Sequence, residues 1–156
     1  SYILDLYEAR VAVECEALRI ACQRASDADI AAVSDYLDGM EPGYQTATEL
    51  EELLALDESF HTRLVQLSGN NELLRMLKNL NGRIRYIRLI DLKRMRDQAD
   101  GRAPGDVSAH RRVLEALATR NAAAAVEALR SHIEKRREEA TEAVRIAFSQ
   151  LYVPED

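Results

Sequence analysis

The sequence predicts an all-α protein, a single antiparallel bundle of six or seven helices. Three observations carry that expectation. Every long segment repeats its apolar residues at helical spacing. No segment alternates apolar and polar residues as a half-buried strand would. The breaks between segments are short and hold helix caps and stops. Helices this long, joined by connections this short, leave no room for two domains, so residues 1–156 read as one.

The first helix is expected over residues 3–24, with Leu4, Tyr7, Val11, Cys15, Leu18 and Cys22 as its apolar stripe. Ser26 reads as the N-cap of a short helix over 27–38, which Gly39, Pro42 and Gly43 should break. Thr48 with Glu51 has the capping-box spacing for a third helix running to about Ser68, where Gly69 fits the stop. Asn70 can cap a long fourth helix through Leu73, Leu77, Leu80, Ile84 and Ile87 to about Arg96. A loop is expected over 100–105. Asp106 then caps a helix carrying Val113 and Leu117, and Asn121 caps the last, running to about Leu151.

The chain is 47% hydrophobic and 31% charged, ordinary for a globular domain, with a formal net charge of −6. A domain that grips nucleic acid usually carries a basic face, so any contact with DNA is expected from another segment. No apolar run approaches a membrane span and no signal-peptide pattern opens the chain; a cytoplasmic protein is expected. Cys15 and Cys22 fall two helical turns apart, roughly 10 Å, which is too far for a disulfide. They read as small core residues.

The informative residues are polar ones in apolar stripes. At 100° per residue, Asp57 and His61 fall inside the stripe of Leu50, Leu53, Leu54, Phe60 and Leu64, four residues apart on one face. His110 lies among Val107, Val113, Leu114 and Leu117, and His132 at the flank of Leu129, Ile133 and Ala140. These are the only three histidines. An inward carboxylate costs several kcal/mol unless paired or bound to metal. Three imidazoles and a carboxylate suit a transition metal: zinc first, with nickel, manganese or iron also compatible. The alternative is a simple buried Asp57–His61 pair with two unrelated histidines. Arg10 and Glu14 flank the first stripe, Arg83 and Arg88 the fourth, and Arg136 lies one turn beyond His132.

The first helix reads Leu6-Tyr-Glu-Ala-Arg-Val-Ala-Val-Glu14 and the third Asp57-Glu-Ser-Phe-His61; a Ser68-Gly-Asn-Asn71 turn, His110 and His132 follow. This pattern resembles the C-terminal effector-binding domain of FadR-type regulators in the GntR superfamily, the domain called FCD. The resemblance spans essentially the whole chain. It implies a metal held by Asp57, His61, His110 and His132, and an effector contact from Arg10, with Arg83 a looser match. It also implies a homodimer and an N-terminal winged helix-turn-helix, which these 156 residues lack; the sequence therefore reads as an effector-binding and dimerisation domain.

The expected function is ligand-controlled transcription without enzymatic activity. A small organic acid, a hydroxy- or dicarboxylate, would bind the metal and an arginine together, and DNA would be touched only through the missing domain. One rival is a plain dimerisation module with no ligand, in which the inward polar residues are structural; the other is a mononuclear metal-dependent hydrolase of helical-bundle type. It needs a general base near the metal, and Glu58, the acid adjacent in sequence, points away from the stripe. A di-iron site is excluded because residues 107 and 129, where a second Glu-x-x-His would need its glutamate, are Val and Leu.

Overall fold

The computed structural model describes residues 1–98 and 107–151, and six helices account for nearly all of them. They are α1 (Tyr2–Arg24), α2 (Asp27–Thr46), α3 (Leu50–Gln66), α4 (Asn71–Gln98), α5 (Ser108–Ala118) and α6 (Ala122–Leu151). The expected loop over 100–105 and the Asp106 cap lie outside the described residues.

Three of the expected caps form. The Ser26 hydroxyl accepts from Asp29 N at 3.0 Å, the Asn70 carbonyl from Glu72 N and Leu73 N at 3.0 and 3.1 Å, and the Asn121 carbonyl from Ala124 N at 3.0 Å. Gly69 stops α3 as expected, in the left-handed region at φ 69°.

Two boundaries differ. α2 does not break at Gly39; it continues through Pro42 and Gly43 to Thr46. Proline inside a helix removes one backbone bond and crowds the preceding turn. Against that, Leu37, Met40 and Tyr44 continue one buried face across the site, and the Thr46 hydroxyl donates to Pro42 O at 2.9 Å. Packing therefore outweighs the local signal. The Thr48 capping box does not form either. α3 starts at Leu50 after Glu49, with no side-chain cap, and Thr48 O instead accepts from Arg96 Nη1 at 2.6 Å.

α1 packs against α6, α4 and α3, while α5 lies between α2 and α6. Arg120, a non-glycine residue at φ 60°, ties the α5–α6 turn to the α1–α2 turn, reaching Cys22 O at 3.4 Å and Asp27 Oδ1 at 2.7 Å. Tyr7, Cys15, Leu18 and Cys22 of the expected α1 stripe are buried, but the buried face is wider and shifted at its start. Leu4 is 39% exposed and Val11 only partly buried, whereas Leu6, Arg10, Val13, Glu14 and Ala17 face the core. Both cysteines are buried and free. Among the described residues, no helix is long and apolar enough to cross a membrane.

Candidate functional site

α3 brings Asp57 and His61 to the interior on successive turns, since Leu53, Leu54, Phe60 and Leu64 drive the same face inward. α5 adds His110 the same way, with Val113, Leu114 and Leu117 behind it. α6 adds His132, one position before fully buried Ile133. One ligand atom from each of Asp57, His61, His110 and His132 lies within 4.8 Å of the others. The imidazole rings sit 5.1–5.6 Å apart, and the His61 and His132 rings are nearly parallel.

Asp57 Oδ1 is 3.1 Å from His110 Nε2 and 3.7 Å from His61 Nε2, while its Oδ2 accepts a short hydrogen bond from Arg88 Nη2. His61 Nδ1 and Glu14 Oε1 share a short hydrogen bond, and Glu14 Oε2 accepts from Arg10 Nε at 2.5 Å. Arg10, Glu14, Asp57, His61 and His110 are each at most 4% exposed, so every unmade hydrogen bond among them is costly. Several are unmade: His61 Nε2, His110 Nδ1, Arg10 Nη1 and Arg88 Nη1 make no hydrogen bond, and His110 Nε2 has only its contact with Asp57 Oδ1. Imidazole nitrogens left without partners beside a carboxylate oxygen are what a cation site requires.

The electrostatics agree. Burial would raise the Asp57 carboxyl, but Arg88 and then His61 hold it well below the carboxylate range. Burial likewise opposes ionisation of Glu14, yet Arg10 and His61 bring it to about 2. Burial pushes the His61 imidazole down, and burial together with nearby His61 pushes His132 down to about 2. Ionised carboxylates and neutral imidazoles are the forms that bind metal.

Asp57, His110 and His132 open onto a cavity of about 630 Å³, walled by Tyr44, Leu92, Met95 and the start of α5 at Ser108 and Ala109. Arg88 and Arg136 line it; Arg136 Nη2 donates to Asp91 Oδ2 at 2.6 Å. The two arginines expected to contact an effector lie elsewhere. Arg10 is held by Glu14 and is not among the cavity-lining residues. Arg83 is exposed on the outer face of α4, its guanidinium carbon 5.7 Å from the Tyr2 ring centroid. Arg88 occupies the interior position instead. Its signal was present in the sequence, four residues from both Ile84 and Leu92, which are buried. Glu58, the acid considered as a hydrolase base, opens on a separate groove between α3 and α4, with Ser59, Asn81 and Arg85, and not on the cavity.

The FCD domain family model matches residues 5–135. The Nta operon transcriptional regulator of Aminobacter aminovorans is 35% identical over 150 residues, covering 96% of this chain and 67% of the relative. The uncharacterized HTH-type transcriptional regulator YdhC of Bacillus subtilis is 26% identical over 82% of this chain and 55% of its own length. A crystal structure of a GntR family transcriptional regulator from Pseudomonas syringae superposes with a TM-score of 0.74 at 23% identity, over 95% of this chain and 59% of that one. The structural likeness shows a shared fold, and the family model and the 35% identical transcriptional regulator carry the assignment: this chain belongs to the FCD-domain family.

Proposed function

We propose that the domain senses a small carboxylate at a divalent metal held by Asp57, His61, His110 and His132, and relays its presence to a DNA-binding segment outside these 156 residues. The observation that carries this reading is the set of buried, unpartnered imidazole nitrogens gathered around Asp57 Oδ1. A metal there, zinc being the best fit to three imidazoles and a carboxylate, would supply positive charge and open coordination positions for an effector oxygen. Charge balance supports an anion. Arg10, Arg88 and Arg136 are matched by Glu14, Asp57, Asp91 and Glu139, so a divalent ion leaves one net positive charge in a largely buried place. α5 also begins at the cavity, and a helix N-terminus favours negative charge.

Arg88 takes the role of second anchor expected at Arg10 or Arg83, because it lines the cavity and keeps a buried Nη1 without a partner. Its planar fork suits a carboxylate. Elemental analysis of the purified chain, followed by calorimetry with a panel of hydroxy- and dicarboxylates, tests the reading. About one zinc per chain is expected, with carboxylate binding that Arg88→Gln weakens at least tenfold. A chain that takes up no metal on dialysis against zinc overturns it.

The reading also assigns a second copy of the chain to the outer face of α4, where Met76, Arg83, Tyr86 and Ile90 share one side and Tyr2 lies beside Arg83. A regulator that reads a palindromic site needs two-fold symmetry. Light scattering is expected to give a dimer mass, and a monomer at micromolar concentration removes this part.

A further inference from the structure

α1 supplies no ligand to the proposed metal, yet it places a carboxylate behind one. Glu14 has no exposed side-chain surface and divides its oxygens: Oε2 accepts from Arg10 Nε and Oε1 faces His61 Nδ1. A carboxylate held by a guanidinium only accepts, so Nδ1 must carry the ring proton. The lone pair is then left on Nε2, the atom that faces Asp57 and has no protein partner.

We infer that Glu14 is a positioning residue that fixes His61 in the tautomer able to ligate through Nε2, and that Arg10 in turn fixes which way Glu14 acts. This rests on the metal reading above for its purpose, but not for its geometry. A plain Arg10–Glu14 ion pair would not need the second oxygen aimed at a histidine. Outer partners of this kind orient the ring and raise its basicity as a ligand.

The arrangement makes an unusual demand on substitution. Arg10 is donor-only. In Glu14→Gln the side-chain carbonyl must therefore stay on Arg10, which turns the amide NH2 toward His61 Nδ1. Nδ1 becomes an acceptor, the proton moves to Nε2, and the ligating lone pair is lost. Adding Arg10→Met frees the glutamine to turn over, so that its carbonyl again accepts from Nδ1–H.

The experiment compares the wild-type chain, Glu14→Gln and Arg10→Met/Glu14→Gln. His61 ring-nitrogen shifts are measured by NMR in the metal-free proteins, and zinc affinity by competition with a chromophoric chelator. The wild type is expected to show Nδ1–H. Glu14→Gln is expected to show Nε2–H with zinc binding weakened about 10- to 100-fold. The double variant is expected to return to Nδ1–H and recover at least tenfold of the lost affinity. A wild type or Glu14→Gln protein with the opposite tautomer overturns the inference. So does a double variant no better than the single one, since a merely structural pair predicts further loss. A wild type that binds no zinc overturns the proposed function, and the nitrogen shifts still decide the tautomer assignment.

Discussion

Two groups of buried side chains share the same helix faces and have opposite chemistry. On α1, Arg10 and Glu14 are followed within two turns by Ala17, Leu18 and Ala21; on α3, Leu53 and Leu54 precede Asp57 and His61. All are 4% exposed or less. The apolar group, with Leu37 of α2 and Leu117 of α5, needs only shape and volume, and its contribution is spread over many contacts. The polar group needs particular partners: Asp57 with Arg88, Glu14 with Arg10 and His61. Even then, nitrogens of His61 and His110 stay unsatisfied. A fold selected for stability alone would replace such a cluster with hydrocarbon. Its presence separates the part of the interior that holds the bundle together from the part to which the proposed function assigns recognition.

The largest effect is expected at the polar group. Asp57→Ala leaves Arg88 buried and unpaired, at a cost of about 3–5 kcal/mol in urea unfolding, and removes zinc binding. Adding Arg88→Met is expected to return part of the stability but none of the metal affinity. If the single variant unfolds like the wild type, the Asp57–Arg88 pair is not the constraint described here.

At the apolar group, Leu53→Ala is expected to cost about 3 kcal/mol through lost burial and a residual cavity. Zinc affinity should stay within about threefold of wild type, an allowance for small shifts of Asp57 one turn away. A large loss of affinity with a small loss of stability would reverse the distinction between the two groups.

A smaller effect comes from protons. The fold keeps His132 neutral, its pKa moved from 6.5 to about 2 by burial and by His61. Below pH 6.5 the unfolded chain therefore binds a proton that the folded one refuses, and stability falls as pH falls. His132 alone contributes a slope of at most about 1.4 kcal/mol per pH unit. His61, lowered in the same direction, adds to it. In the metal-free chain, unfolding measured between pH 7 and pH 5 is expected to show this slope, and His132→Asn to flatten it. A wild-type stability that rises on acidification refutes the assignment.

The smallest effect is local. Asn70→Ala removes an acceptor for Glu72 N and Leu73 N at the start of α4. It is expected to cost about 1 kcal/mol in the same assay, with metal and carboxylate binding unchanged.

Taken alone, the sequence determined what depends on neighbours along the chain. Helical period assigned the class, and the caps at Ser26, Asn70 and Asn121 and the stop at Gly69 are properties of a few consecutive residues. Inward angles on separate helices were enough to single out Asp57, His61, His110 and His132. Tertiary structure decided what depends on other helices. It carried α2 through Pro42, because Met40 and Tyr44 have a core to enter, and it left Thr48 outside α3. It also chose among the arginines. Arg83 and Arg88 differ by about 140° around α4, and only the positions of α3 and α6 determine which of those directions is interior. Arg10 was visible as a flanking charge, but its commitment to Glu14, and Glu14's to His61, joins α1 to α3. No periodicity within either helix encodes that contact, because hydrogen bonds between helices depend on where the helices lie relative to one another.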